Sequence, residues 1–240
     1  MLDGSQVIGS GTGFFYQDRL LTYITNRHVI IDEDSDYYPD KLLLKIHTGN
    51  NINELPVNEF EKIPLYNVDG TKRWYEHPTL GSSADVVCII IPPTSIINKC
   101  SLVRYITPKN GYPSNVQTSS ADQVSIIGYP KGYYDEFHNL PIVKTGHIAS
   151  PFGYYHNEKS YFLVDATVEE GMSGSPVFTQ RILSFRDTDG KSMLSTKPDR
   201  YFLGIFSASI VKNEQELSLH LVWYASIIHQ ILESIPDTNP

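Results

Sequence analysis

Gly171-Met172-Ser173-Gly174-Ser175-Pro176 sets a serine between two glycines and closes the turn with a proline. Val164 upstream and Val177-Phe178 downstream bracket it with apolar, strand-prone sequence. Glycine lets a backbone turn sharply and come close to a ligand. Such a turn presents a side-chain hydroxyl beside backbone N–H groups. Those are the parts that acyl transfer needs, a nucleophile and an oxyanion hole. Small residues also crowd ordinary turns, and a serine hydroxyl is a poor nucleophile near neutral pH. The reading therefore requires a base and an orienting carboxylate elsewhere in the chain.

Two upstream stretches answer that requirement. In Leu21-Thr22-Tyr23-Ile24-Thr25-Asn26-Arg27-His28-Val29-Ile30 an apolar strand runs into a polar turn, and His28 opens a short helical turn. In Ser83-Ala84-Asp85-Val86-Val87-Cys88-Ile89-Ile90-Ile91, Asp85 stands at the entry of a β-branched strand. Taken alone, His28 reads as a surface-turn histidine and Asp85 as an ordinary strand-start residue. Together with Ser173 they resemble the His, Asp and Ser blocks of the chymotrypsin-like (trypsin-like) serine peptidases, in that family's chain order. Gly11-Thr12-Gly13-Phe14, a turn at Gln17-Asp18-Arg19, and Ile24-Thr25-Asn26-Arg27-His28-Val29 are similar to the entry of bacterial members such as the high-temperature-requirement group. Gly171 to Phe178 is also similar to the matching string of glutamyl endopeptidases.

The resemblance implies an all-β fold of two six-stranded antiparallel β-barrels with a C-terminal α-helix. One peptidase domain would span the chain, with an N-terminal barrel over about 1–110 and a second barrel and helix over about 111–240. It implies a serine endopeptidase acting through an acyl-enzyme, with protein or peptide as substrate. His28 would be the base, Asp85 its orienting carboxylate and Ser173 the nucleophile. The backbone N–H groups of Gly171 and Ser173 would form the oxyanion hole. Ser207 matches the serine that hydrogen-bonds the acid, and Thr167, Val168, Phe206, Ala208 and Ser209 would meet substrate. Glutamyl endopeptidases bind an acidic residue on the acyl side of the cleaved bond (P1) through a histidine, where this chain has Phe206; Val168 replaces their threonine. Arg/Lys-specific members carry Asp where Thr167 stands. A small or apolar P1 is the expectation. His220 could reach the pocket rim, although a solvent-facing strand start accounts for it equally well. Zymogen-activated members carry an Asp at the place of Met172 to receive a newly cut N-terminal ammonium, so activity here is expected not to depend on such a cut.

Two readings from other classes compete. One is a catalytically silent barrel pair that binds peptides in its cleft; silent relatives usually lose one of the three residues, all present here. The other is an esterase, which would share the machinery.

The rest of the chain fits this frame. Short β-rich runs alternate with Gly, Pro, Asn and Asp turns, the pattern of a sandwich or barrel. Arg181–Arg200 reads as an exposed hairpin with its turn at Asp187-Thr188-Asp189-Gly190. Ala225–Ile235 carries a helical apolar stripe at Ile227, Ile228, Ile231 and Leu232. The 240 residues are 40% hydrophobic, and no apolar run approaches the roughly 20 residues of a membrane span. A net charge of −8 without a Lys/Arg cluster argues against nucleic acid or anionic membrane as partner. The acidic run Asp32–Asp36 lacks the Gly and Glu of a calcium loop and reads as solvated. His47, His77, His138, His147, His156 and His229 fall at no metal spacing, so neither metal nor cofactor is expected. Cys88 lies in an apolar strand, and Val29 stands where secreted relatives follow the histidine with a disulfide-forming Cys. Together with the lack of a visible signal segment, that points to the cytoplasm, with a processed secreted form as the alternative.

Overall fold

Runs of alternating or continuous apolar residues become strands wherever a turn residue lets the chain reverse. The computed structural model describes residues 1–47, 58–100, 103–111, 118–186 and 191–236. Its first half contains β1 (Leu2–Asp3), β2 (Gln6–Val7), β3 (Phe14–Gln17), β4 (Leu21–Thr25), the one-turn helix α1 (Arg27–Ile30), β5 (Lys41–His47), β6 (Asn58–Pro64), β7 (Trp74–Tyr75), β8 (Val87–Ile90) and β9 (Tyr105–Ile106). The second half contains β10 (Gln123–Gly128), β11 (Ile142–Ile148), β12 (Tyr161–Ala166), β13 (Pro176–Thr179), β14 (Ile182–Arg186), β15 (Ser192–Asp199), β16 (Phe202–Lys212), β17 (Gln215–Tyr224) and the helix α2 (Ala225–Ser234).

The second half closes into a six-stranded barrel in the order β10-β11-β12-β17-β16-β13. Closure hides the sheet edges and fills the interior with Val124, Ile126, Phe162, Val164, Val177, Leu203 and Val222. In the first half a five-stranded sheet, β7-β8-β4-β3-β9, faces a four-stranded sheet, β2-β1-β5-β6. They share a core in which Leu42, Ile46 and Ile63 pack with Leu21, Tyr23, Trp74 and Ile89. The fold is thus all-β with a closed six-stranded barrel and a C-terminal helix. Two pairings among the described residues depart from a purely antiparallel plan: β9 lies parallel to β3, and an isolated bridge joins Gly111 to Phe202 in parallel.

A third cluster joins the halves. Phe14, Tyr16 and Ile24 meet Phe202, Ile205 and Trp223, and α2 adds Ile227, Ile228, Ile231 and Leu232. The apolar stripe read from the sequence is the face that the helix buries. Arg19 donates from its guanidinium to the Leu232 carbonyl at 2.6 Å and to the Ile235 carbonyl, supplying donors and positive charge where the helix ends. His77 ties the other side, with Nε2 2.8 Å from Gln230 Oε1. Ile231 is fully buried, so Ile231→Ala is expected to cost about 2–5 kcal/mol in chemical denaturation. A loss below about 1 kcal/mol would show that the site collapses around the smaller side chain or that the helix adds little.

β7 is only two residues long, and the pairing before it is a single bridge, Tyr66 to Lys72. β16 and β17 are joined by a tight turn with positive φ at Asn213 (52°) and Glu214 (62°). That geometry suits a two-residue hairpin, but Asn-Glu lacks the glycine that would have marked it. β14 and β15 form the expected hairpin, and its 187–190 turn lies outside the described residues. Cys88 and Cys100 are both buried and no disulfide joins them. Burial pushes the Cys88 thiol well up, which leaves it protonated and unreactive. No helix among the described residues is long and apolar enough to cross a membrane.

Candidate active site

Strand β4 is buried along its whole length and delivers the chain into α1. That single turn buries Arg27, Val29 and Ile30 and leaves only His28 facing outward. Arg27 is held by Glu33 and by Glu76, the latter at 3.1 Å, and Glu76 also accepts from Trp74 Nε1 at 3.0 Å. The turn is therefore pinned from beneath. Asp85 precedes β8 between Ala84 and Val86, both fully buried, so alternation turns its carboxylate to the cleft. Its backbone carbonyl accepts from Asn26 Nδ2 at 2.7 Å.

Three donors converge on that carboxylate. The His28 backbone N–H reaches Oδ1 at 2.9 Å, His28 Nδ1 reaches Oδ2 at 2.7 Å, and the Ser207 hydroxyl donates to Oδ2 at 2.5 Å. This network assigns the proton of a neutral imidazole to Nδ1 and leaves the Nε2 lone pair turned outward. Burial pulls the His28 pKa down, but the hydrogen bond and charge of Asp85 outweigh it, and the net shift is upward from 6.5.

Ser207 reaches Asp85 because β16 is bulged. The register with β17 shifts between Phe206 and Ser209, inserting an extra residue on β16 at Ser207-Ala208. Bulges re-aim side chains beside sites, and here the bulge sends the Ser207 hydroxyl to the acid. The Ser207 carbonyl in turn accepts from the Ser173 hydroxyl at 3.4 Å. The chain His28, Asp85, Ser207, Ser173 is thus continuous. Among the described residues no hydrogen bond joins Ser173 Oγ directly to the imidazole; 3.4 Å is long, and such contacts are often loose before substrate binds.

The Gly171–Ser175 turn needs its glycines. Gly171 sits at φ +88°, and a Cβ there would come within 2.6 Å of the Tyr129 carbonyl. Gly174 has the same φ, and a Cβ there would collide with the Thr12 carbonyl and approach Thr25 Oγ1. The carbonyls of residues 170–173 all have donors: Glu170 accepts from Lys131 N–H at 2.6 Å, Met172 from Ser175 N–H at 3.0 Å and Ser173 from Thr12 N–H at 2.9 Å. Gly171 accepts from the Thr12 hydroxyl at 2.7 Å. In a trans peptide the N–H opposes the C=O. Tying the Glu170 and Met172 carbonyls therefore aims the Gly171 and Ser173 N–H groups the other way. Neither donates a hydrogen bond among the described residues.

The residues expected to meet substrate are partly gathered. Thr167 and Ala208 are exposed, Val168 and Ser209 half-buried, and Phe206 buried in the barrel core. His220 corrects the solvent-facing alternative: it is only 3% exposed, since β17 starts five residues earlier and carries it inside. Its Nε2 donates to the Ala166 carbonyl at 2.9 Å, Nδ1 accepts from the Ser209 hydroxyl at 3.2 Å, and its ring lies 5.1 Å from that of Phe206. Sequence reading missed Thr12 and Asn26 as parts of the site. Both stand inside quoted motif stretches, which was the available signal.

The family model described as the trypsin-like peptidase domain matches residues 11–182, well over half of the chain. No curated protein matches the chain in sequence. Among solved structures the chain is similar to the HtrA-type protease AlgW with tripeptide, with a TM-score of 0.53 at 14% identity, over 95% of this chain and 56% of that one. A variant of the same protease with tripeptide gives a TM-score of 0.50 at 15% identity, again over 95% and 56%. At such identities the likeness speaks for the fold alone, and this chain covers little more than half of either protein. The family match spans all three blocks that carry His28, Asp85 and Ser173, and the chain belongs to the trypsin-like peptidase family.

Proposed function

We propose that this chain cleaves peptide bonds through Ser173, His28 and Asp85. Ser173 Oγ attacks the scissile carbonyl carbon while His28 Nε2 takes the hydroxyl proton. Asp85 holds the imidazole by Nδ1 and stabilises the imidazolium. The carbonyl oxygen, now an oxyanion, is met by the Gly171 and Ser173 N–H groups. Collapse breaks the C–N bond, and the imidazolium delivers its proton to the leaving amine. Water, deprotonated by the same imidazole, then hydrolyses the acyl-enzyme and restores the serine. The observation that supports this best is the unbroken contact from His28 through Asp85 and Ser207 to Ser173, beside two N–H groups that have no partner among the described residues.

At P1 a small or apolar residue is favoured. His220 engages both ring nitrogens internally, which leaves the half-buried flank of Val168 to face the substrate. A fluorophosphonate probe tests the nucleophile: the folded protein should label, and Ser173→Ala should abolish labelling. Folded protein that does not label would instead fit the peptide-binding reading. Profiling a peptide library tests P1, and a dominant Glu, Arg or Lys would refute the apolar preference.

The pH dependence follows from the raised pKa of His28. A general base works only when neutral, so kcat/KM must fall as pH drops through that pKa. The acidic limb is expected above pH 6.5, read from kcat/KM between pH 5 and 9. A limb centred below 6.5 would mean that burial, not Asp85, governs the imidazole.

A further inference from the structure

The geometry points to Thr12 as the positioning residue that keeps the Gly171/Ser173 oxyanion hole formed in advance of substrate. This inference rests on the peptidase reading and adds to it the device that holds the loop. Thr12 belongs to the first half of the chain, just ahead of β3, yet it bonds the nucleophile loop at two points. Its N–H donates to the Ser173 carbonyl at 2.9 Å, and its hydroxyl donates to the Gly171 carbonyl at 2.7 Å. That same hydroxyl accepts from the Tyr129 N–H at 3.0 Å. Its own carbonyl accepts from the Thr25 hydroxyl at 2.7 Å, which anchors the residue to the end of β4, two residues before α1. Thr12 is 2% exposed, so water does not substitute for these bonds.

The peptide between Gly171 and Met172 lies between the two N–H groups that face the oxyanion. Gly171, without a Cβ and at φ +88°, is the residue about which this turn rotates most easily. The Thr12 hydroxyl holds that peptide by its carbonyl, and Lys131 holds the preceding one through Glu170. Met172 is fully buried, with the Ser175 hydroxyl 4.0 Å from its sulfur, and carries no charge with which to anchor the loop. Hydrogen bonds from Thr12 therefore do this work, and they link the half that carries His28 to the half that carries Ser173.

The test compares Thr12→Val, which keeps the shape and removes the hydroxyl, with Thr12→Ser, which keeps the hydroxyl. Kinetics on a peptide substrate, affinity for a peptide aldehyde that forms a tetrahedral adduct, and thermal unfolding are measured for both. Loss of one oxyanion donor lowers kcat by about 100- to 1,000-fold, so Thr12→Val is expected to lose about 100-fold in kcat. Its KM should stay within about threefold, aldehyde affinity should fall in parallel with kcat, and Thr12→Ser should stay near wild type. If Thr12→Val fails to fold, Thr12→Ala gives the same readout with room for a water. A folded variant without the hydroxyl that keeps wild-type kcat overturns the inference, as does a loss confined to KM or one that Thr12→Ser does not rescue. Wild-type protein that is folded yet neither labels with fluorophosphonate nor cleaves peptide sinks the peptidase reading itself, and the inference with it.

Discussion

Ser173→Ala is expected to lower kcat by about a million-fold while leaving KM and thermal stability near wild type. The argument is chemical. Alanine removes the only atom that forms the acyl bond and leaves the rest of the turn in place. Among the described residues the Ser173 hydroxyl makes one long contact, to the Ser207 carbonyl, so its loss costs little folding energy. The Thr12 bond to the Ser173 carbonyl uses only the backbone and survives the change. What remains is substrate binding and the oxyanion hole, worth about a thousand-fold or more over water. His28→Ala is expected to be nearly as damaging, and the double variant hardly worse than either, because nucleophile and base act as one unit. Single-turnover peptide cleavage measures this. If the losses multiplied in the double variant, the two side chains would be acting independently and the mechanism would fail.

Asp85→Asn is the second large effect, with kcat expected to fall by about 10⁴-fold. The amide matches the carboxylate in shape but presents one donor and one acceptor where Asp85 presents two acceptors. His28 N–H, His28 Nδ1 and the Ser207 hydroxyl all converge there, so the amide meets a donor face to face. The imidazole then favours the tautomer protonated on Nε2, which cannot take the Ser173 proton. The pH profile separates this from a folding defect. Removing Asp85 deletes the hydrogen bond and charge that raise the His28 pKa and leaves the burial that lowers it, so the acidic limb of the residual activity should move to lower pH. An unmoved limb would show that Asp85 does not set the imidazole's charge.

The three blocks were legible because each is a local pattern with its own signal. The Ser173 turn is written in glycines whose φ and crowding forbid a side chain. The β4 strand and the outward place of His28 follow from one helical turn with three inward side chains. Asp85 follows from alternation between buried Ala84 and Val86. Other features carried no such mark. The bulge that aims Ser207 at Asp85 is a mismatch between two strands and has no sequence of its own. His220 looked like a strand-start residue because the turn at Asn213-Glu214 adopts left-handed geometry without a glycine to announce it.

The sequence by itself determined which elements form and which side chains face outward, since strand periodicity and turn chemistry act over a few neighbouring residues. It also carried, in the order of its blocks, the family to which the chain belongs. Only the tertiary structure decided where the backbone dipoles of the nucleophile loop point and what holds them. The Thr12 hydroxyl meets Gly171 across 159 residues of chain, and Ser207 meets Asp85 across 122. A peptide plane in a glycine turn costs little to rotate, so its direction is set by whichever distant donor folding brings alongside, and no local pattern records that.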